Sequence, residues 1–401
     1  MNDTKGDTMS RPTPTATGGT TPAAERELAP DLARGAMLSL IAMAYAGVYA
    51  GVSFGAAAEE SSFLDDASRF LTVLVLDNRA FPMFAILYGY GMGWLVARQL
   101  NAGMGEREAR RLTRRRSLYL LLFGSVHAFL VFPGEILASY GLAGLVLGWL
   151  LFRSDRAITR AVAILAPVYV LTVTVGMLGV ASGERDEEAA RWGLPGYTTA
   201  GDWADRLFGV PFTPLFIAFA YPLLLLVVLG FWAGRRRLLD DPAAHRVLLT
   251  RVAVVGTTVS VLGASPAALV TVGVLSPGAV STGLLLALQV LTGVFGGAGY
   301  AAVFGLLGLR LGGRRGPVVR AVAAVGQRSL TFYLANSVLV AVILHPDLGG
   351  LGARVGSFGA LCTAFAVWLL AVGVAAWMDR TGRRGPVDAL LRALVYRGAA
   401  K

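Results

Sequence analysis

Long blocks of apolar residues constrain the fold of this chain more than any other feature of its sequence. Each block runs for about 17 to 25 residues, the length at which a helix crosses the hydrocarbon layer of a bilayer. Uninterrupted runs such as 136–152 lack the alternation that is typical of transmembrane barrel strands. Only 15% of the residues are charged, which is too few for a soluble protein of this size. The low charge and the long apolar blocks together predict an all-α fold, a polytopic integral membrane helical bundle.

Ten blocks are predicted to span the membrane, which places both termini on the same side. The first segment, 1–30, has no apolar period and is predicted to be a disordered cytoplasmic tail. The transmembrane helical domain then covers 31–380, and 381–401 form a cytoplasmic carboxyl-terminal segment. The predicted spans are 35–57, 79–98, 117–133, 136–152, 161–182, 212–233, 252–273, 281–309, 321–345 and 357–378.

The distribution of positive charge predicts the orientation. The formal net charge is +11, but the arginines cluster between apolar blocks, so nucleic acid is not a predicted partner. Of the 36 lysines and arginines, 29 fall on the side of the amino terminus and five on the other side, while Arg79 and Arg328 lie within or at the edge of spans. The positive-inside rule therefore predicts a bacterial cytoplasmic membrane protein with both termini in the cytoplasm. The lipid bilayer is its predicted partner, and its oligomeric state stays open.

A histidine and a glutamate form the most informative polar pair. Ionisable side chains inside apolar spans are costly, so they mark positions where a site is expected. His127 lies near the outer end of the third span, and Glu135 lies in the tight turn that follows. A hydrogen bond across this turn would orient the imidazole, so both are candidate catalytic residues. Two structural alternatives stay open: an interhelical hydrogen bond from His127, and a helix cap from Glu135.

Other polar residues lie at span ends or inside spans. Asp31 and Arg34 are three residues apart at the entry of the first span and can pair on one helix face. Arg116 directly precedes the third span. For residues inside the spans, interhelical packing is the structural alternative to a role in substrate binding. The candidate substrate-binding residues are Asp77, Arg79, Arg328, Tyr333 and Asn336.

Five ordered motifs resemble those of one bacterial family. On these motifs, the chain resembles the YeiB-like membrane proteins, the domain of unknown function 418 (DUF418) family, from about residue 28 to its end. The motifs are Asp31-x-x-Arg34-Gly35, Asp77 through Gly93, Arg115-Arg116 through His127 with Glu135-Ile136-Leu137 and Tyr140, Gly326 through Ser337, and Arg384 through Asp388 with Arg392 and Tyr396.

Four positions depart from the family pattern. Glu135 stands where the family usually has aspartate, and Asp388 stands where it usually has glutamate. Both exchanges keep the charge. Phe332 and Tyr45 stand where asparagine is usual, so an amide is lost at both positions.

The resemblance extends distantly to membrane acyltransferases of the acyltransferase-3 and heparan-α-glucosaminide acetyltransferase types. It implies a transfer of an acyl group from acyl-CoA to a hydroxyl or amine on an envelope glycan, lipid or secondary metabolite. No bound cofactor is required, and acyl-CoA is the expected co-substrate. In this hypothesis Arg34 and Arg116 hold the CoA phosphates, while His127, oriented by Glu135, is the general base.

Two other classes of function stay open. A proton-coupled small-solute transporter or exporter would use Asp77, Arg79, His127 and Glu135 near the outer side. The sequence halves show no convincing internal repeat, which favours the enzyme over the transporter. A scaffold without chemistry would use the same polar groups only for packing. There is no phosphate-binding loop, metal-ligand cluster or serine nucleophile elbow in the sequence, so an ATP-driven pump or metallohydrolase is not expected.

Overall fold

The computed structural model describes residues 28–49, 62–183, 194–311 and 316–397, and these ranges contain fourteen α-helices and no strand. The predicted all-α fold is therefore confirmed for the described residues. Short 3-10 turns follow α5 at Gly148–Phe152 and precede α13 at Leu351–Ala353. The helices are α1 Leu28–Tyr49, α2 Phe63–Val75, α3 Ala80–Asn101, α4 Glu106–Leu130, α5 Leu137–Leu147, α6 Asp155–Ser182, α7 Ala200–Phe219, α8 Leu223–Arg235, α9 Arg246–Thr271, α10 Ala279–Leu311, α11 Pro317–Gln327, α12 Ser329–Leu344, α13 Ser357–Arg380 and α14 Pro386–Tyr396.

The apolar helices have the lengths expected of membrane spans. In the described part of the chain, six helical segments are long and apolar enough to cross a bilayer. The number rises to eight if each of two bent pairs, α7 with α8 and α11 with α12, counts as one span. This is the pattern of a multi-pass membrane protein.

The third and fourth predicted spans do not meet the same test of length and composition. The third, 117–133, corresponds to the second half of α4, whose first half carries arginines. The fourth, 136–152, corresponds to α5 and the 3-10 turn behind it, an apolar segment of fewer than 18 residues. The number of ten spans therefore stays a prediction.

Some predictions fall outside the described residues. Of the tail predicted at 1–30, residues 1–27 lie outside them, and 28–30 form the first turn of α1. Residues 50–57, the end of the first predicted span, also lie outside.

Helix α1 lies at the centre of the bundle. It packs against α3, α10, α11, α12 and α13, and its side chains are buried along most of its length. Helix α6, by contrast, lies at the periphery, where Ile164 and Leu171 are 64% and 66% exposed. Exposed apolar side chains of this kind suit contact with lipid. A largely buried helix therefore carries Arg34 into the interior of the bundle.

A sharp bend separates α11 from α12. The two helices meet at 90°, and Arg328 stands at the junction with non-helical backbone angles. The Arg328 guanidinium donates hydrogen bonds to the carbonyls of Ala324 and Arg383. The break leaves the first N–H groups of α12 without partners inside their own helix, so they need other acceptors.

Candidate functional site

A cavity of about 240 Å³ lies among α1, α3, α4, α5, α12 and α14. We call it the central cavity. Its polar lining comes from all six of these helices, and its remaining walls are mainly leucine and aromatic side chains. The polar residues of the lining are Arg34, Tyr88, Arg116, Ser329, Tyr140, Tyr333 and Asp388.

Two arginines line the central cavity at the end of the bundle where α1 begins and α3 ends, which we call the basic end. The Arg34 guanidinium lies 3.9 Å from the carboxylate of Asp31, one helical turn earlier. It also lies against the backbone of α3 at Gly91, where a Cβ would come within 2.8 Å of an Arg34 nitrogen. Arg116 enters from α4, and its buried Nε has no hydrogen-bond partner among the described residues. The two guanidinium groups offer N–H donors that suit an anion, while the carboxylates of Asp31 and Asp388 at the same end reduce the net positive charge.

Glu135 caps the first turn of α5. Its carboxylate is 1% exposed and accepts hydrogen bonds from the backbone N–H groups of Leu137 at 2.9 Å and Ala138 at 2.5 Å. A negative charge at this position is stabilised by the unpaired N–H groups of the helix terminus. Gly124 of α4 makes the arrangement sterically possible, because a Cβ there would overlap the Ala138 nitrogen and approach the Glu135 carboxylate.

His127 lies beside this carboxylate. Its Nδ1 is 3.7 Å from Oε2 of Glu135, and the side chain is 4% exposed. Neither imidazole nitrogen makes a hydrogen bond within the described residues. The structure thus brings the predicted pair together across the turn, at ion-pair distance and without a hydrogen bond. A buried imidazole with unused donor and acceptor capacity is able to take part in proton transfer.

Tyr333 separates the central cavity from His127. Its side chain lines the cavity, and its ring centroid is 5.8 Å from that of His127. The Tyr333 hydroxyl accepts a hydrogen bond of 3.3 Å from the backbone N–H of Ile136. One turn further along α12, Asn336 is 1% exposed, and no partner within the described residues bonds either atom of its amide. We call the end of the cavity at Tyr333 its inner end. Polar groups therefore continue along α12 beyond this inner end.

Tyr140 is held in a stack of aromatic rings. Its ring centroid lies 5.1 Å from that of Tyr88 and 5.4 Å from that of Phe84, with small interplanar angles. The residue is 1% exposed, and its hydroxyl has no hydrogen-bond partner in the described chain. The stack fixes the ring while leaving the hydroxyl available to a ligand.

The amino terminus of α12 is capped by the carboxylate of Asp388 from α14. This carboxylate accepts hydrogen bonds from the backbone N–H groups of Leu330 and Thr331 and from the Thr331 hydroxyl, at 3.3, 3.0 and 2.6 Å. Asp388 thereby closes part of the basic end of the central cavity. The sequence indicates Asp388 only as part of a motif, because nothing in a sequence shows that a helix beyond the last span folds back on the bend at Arg328. The Arg328 side chain itself points toward Arg383 and Asp379 and is not part of the cavity lining.

Asp77 and Arg79 lie elsewhere. The Arg79 guanidinium is fully buried and donates to the hydroxyl and carbonyl of Ser260 at 2.9 and 2.6 Å, to the carbonyl of Val73 at 2.8 Å and to the carbonyl of Asp77. We call this group the Arg79 cluster. It stands at the start of α3, twelve residues or about 18 Å along the helix from Gly91, and none of its members lines the central cavity.

These features define a helical membrane protein with a buried polar cavity that begins at two arginines and ends next to a histidine and a glutamate. Residues 233–398 match the family described as "Protein of unknown function (DUF418)". The chain is also 26% identical over 353 residues to the uncharacterized protein YxaH of Bacillus subtilis (strain 168), with 83% of each chain covered. The resemblance to the DUF418 family is therefore confirmed.

Proposed function

We propose that this protein is a membrane acyltransferase that takes an acyl group from acyl-CoA and passes it to a hydroxyl or amine on an envelope glycan, a lipid or a secondary metabolite. The observation that carries the proposal is the central cavity, which joins Arg34 and Arg116 at one end to Tyr333 at the other, with His127 and Glu135 next to Tyr333. In the proposed orientation the basic end faces the cytoplasm, where acyl-CoA is available.

The length of the site matches the proposed co-substrate. Arg116 and His127 are eleven residues apart on the unbroken helix α4, which corresponds to about 16 Å along the helix axis. The pantetheine arm of CoA contains a chain of amides and methylenes that reaches about 15 Å when extended, judged by the rise of an extended peptide. With its phosphates at Arg34 and Arg116, CoA would bring its thioester near Tyr333 and His127. The apolar walls suit the methylene groups of this arm.

His127 is the proposed general base. Its Nδ1 faces Glu135, so Nε2 is the nitrogen that takes the proton from the acceptor. Glu135 stabilises the imidazolium that forms and orients the ring, while the N–H groups of Leu137 and Ala138 hold Glu135 itself in place. The burial of both side chains strengthens this electrostatic interaction.

The test is binding and turnover of acetyl-CoA by the purified protein in nanodiscs. Arg116→Ala is expected to weaken CoA binding, and His127→Ala to abolish acyl transfer while CoA still binds. Arg114→Ala and His345→Ala are matched controls. Arg114 is exposed on the same helix, and His345 is a buried histidine that contacts Tyr49 and Tyr197 instead of the lining residue Tyr333. The absence of CoA binding to the natural chain under every condition would overturn the proposal.

A proton-coupled transporter is the second candidate. The helix break at Arg328 adjoins the central cavity, whose lining includes Ser329 and Leu330, and broken helices often form the substrate sites of transporters. Arg79 gives little support to the transporter hypothesis, because its guanidinium already donates hydrogen bonds to carbonyl and hydroxyl oxygens. Solute movement that follows a pH gradient in proteoliposomes, without any release of CoA, would favour the transporter.

A further inference from the structure

We infer that Tyr140 and Tyr333 are catalytic residues whose hydroxyls stabilise the oxyanion formed during acyl transfer. This inference rests on the proposed function and adds to it the groups that stabilise the transition state. A general base alone does not account for the negative charge that develops on a thioester oxygen when a nucleophile attacks, and enzymes normally place hydrogen-bond donors there.

The Tyr333 hydroxyl has an unused donor. A tyrosine hydroxyl has one O–H donor and can also accept hydrogen bonds. In this chain the oxygen accepts from the backbone N–H of Ile136, and no hydrogen bond donated by this hydroxyl is found in the described residues. The bond from Ile136 fixes the position of the oxygen and makes the O–H a better donor, because hydrogen bonds in a chain polarise one another.

The Tyr140 hydroxyl offers the second donor. It has no partner within the described residues, although the side chain is almost fully buried. Unsatisfied buried hydroxyls are uncommon in proteins, and one that lines a cavity is available to a bound molecule. Stacking against Tyr88 and Phe84 prevents the ring from turning away.

The first turn of α5 brings the two hydroxyls to the same part of the cavity. Ile136, whose N–H bonds the Tyr333 hydroxyl, lies one helical turn before Tyr140. Side chains of a helix tilt toward its amino terminus, so the Tyr140 side chain tilts back toward Ile136. Both tyrosines line the central cavity, and Tyr333 also adjoins His127. The two donors therefore line the inner end of the cavity, and the base lies directly behind Tyr333.

The reaction balances with these groups and the two substrates. The acceptor oxygen or nitrogen bonds to the thioester carbon, its proton passes to Nε2 of His127, and the carbonyl π electrons move to the oxygen held by Tyr140 and Tyr333. The oxyanion then collapses, the C–S bond breaks, and His127 returns the proton to the thiolate. The products are the acylated acceptor and free CoA.

The inference is tested with Tyr140→Phe and Tyr333→Phe, each compared with Tyr49→Phe. Tyr49 is a buried tyrosine whose hydroxyl also has no partner in the described residues, but it does not line the central cavity, so it is a matched control. Each of the first two substitutions is expected to lower kcat by about 10²-fold, with the Kd for CoA changed less than about threefold. Tyr49→Phe is expected to change neither quantity by more than this. Tyr140→Phe removes no hydrogen bond within the described protein, so it tests the inference even if loss of the bond from Ile136 impairs folding of Tyr333→Phe.

A second measurement uses a trifluoromethyl ketone analogue of acetyl-CoA, which forms a tetrahedral hydrate. Its binding is expected to weaken in Tyr140→Phe by about the same factor as kcat, whereas the binding of a thioether analogue without a carbonyl is unchanged. Unchanged kcat in both phenylalanine variants, with full turnover by the natural chain, would overturn this inference and leave the proposed function intact. If the natural chain itself does not release CoA, the proposed function fails, and this inference fails with it.

Discussion

The central cavity and the Arg79 cluster both bury arginine among membrane helices, yet they differ in how their polar atoms are satisfied. In the Arg79 cluster, the carbonyls of Val73 and Asp77 and both oxygens of Ser260 bind the guanidinium. Around the central cavity, Nε of Arg116, the hydroxyl of Tyr140 and both nitrogens of His127 have no partner in the described residues.

This difference distinguishes polar groups that are buried to stabilise the fold from polar groups that are buried to bind a ligand. A buried polar atom without a partner costs about 1 to 3 kcal/mol, so a group of such atoms at one place is most simply explained by a ligand that binds there. The Arg79 cluster has the opposite property, because its hydrogen bonds join α3 to α9 and acceptors in the described residues use four of the five N–H donors of the guanidinium. We therefore assign stability to the Arg79 cluster and chemistry to the central cavity.

The largest expected effect is on stability, from Arg79→Met. Removal of the guanidinium takes one donor each from the buried carbonyls of Val73 and Ser260 and from the Ser260 hydroxyl, and the free energy of unfolding is expected to fall by about 3 kcal/mol. Thermal unfolding in detergent measures the change, and turnover per folded molecule should stay within about twofold. A loss of turnover in folded Arg79→Met protein would contradict the assignment of this cluster to stability.

The next effect is on turnover, from Glu135→Gln. The amide keeps the size of the side chain but removes the charge that stabilises the imidazolium, so kcat is expected to fall by about 10²-fold. Because one backbone N–H of α5 loses a good acceptor, stability should fall by only about 1 kcal/mol. Asp347→Asn, a change of acid to amide near His345, is the control. Equal losses of kcat in both variants would show that Glu135 has no special role.

Two glycines allow a matched comparison of the two regions. A Cβ at Gly124 would overlap the Ala138 nitrogen and approach Glu135, and a Cβ at Gly296 would overlap the Ser260 hydroxyl and approach Arg79. Substitution by alanine at either position is expected to cost about 1 to 2 kcal/mol of stability, since packed helices must move apart. Only Gly124→Ala should also lower kcat, because only Gly124 adjoins the proposed catalytic pair. Similar kcat values for the two variants, measured on folded protein, would remove the distinction.

The smallest effect concerns the docking of α14 on the bend between α11 and α12. Burial raises the pKa of the Asp388 carboxyl above its usual value, and the hydrogen bonds from Thr331 oppose this shift. A raised pKa favours the protonated carboxyl in the docked state, so docking is expected to be strongest below about pH 4 and to weaken as the pH rises through the raised pKa. Hydrogen exchange of the α14 amides against pH measures this. Asp388→Asn should remove the pH dependence, and its persistence in that variant would assign it to another group.

The sequence predicted the helices and part of the site. Apolar blocks located the spans because each helix satisfies its own backbone and needs only local information. The tight turn between α4 and α5 limits the separation of His127 and Glu135, so their proximity was also predictable. The sequence also predicts that Arg34 and Arg116 lie at the same end of the bundle, because each arginine precedes an odd-numbered span and all such spans start on the same side.

Long-range packing accounts for what the sequence did not reveal. The stack of Tyr140 on Tyr88 joins α5 to α3, and the cap of Asp388 on α12 depends on the 90° bend at Arg328. The location of Arg79 was also beyond sequence reasoning, because an arginine at a span end looks the same whether its partners are carbonyls or a substrate. In each case the deciding contact lies at least 50 residues away in the sequence.

The most direct test of the central claim is a cryo-EM map of the protein in nanodiscs with a non-hydrolysable acyl-CoA analogue. Our account predicts density that begins at Arg34 and Arg116, follows the central cavity and ends between Tyr140, Tyr333 and His127. An empty central cavity at saturating analogue, or density bound at the Arg79 cluster, would contradict it.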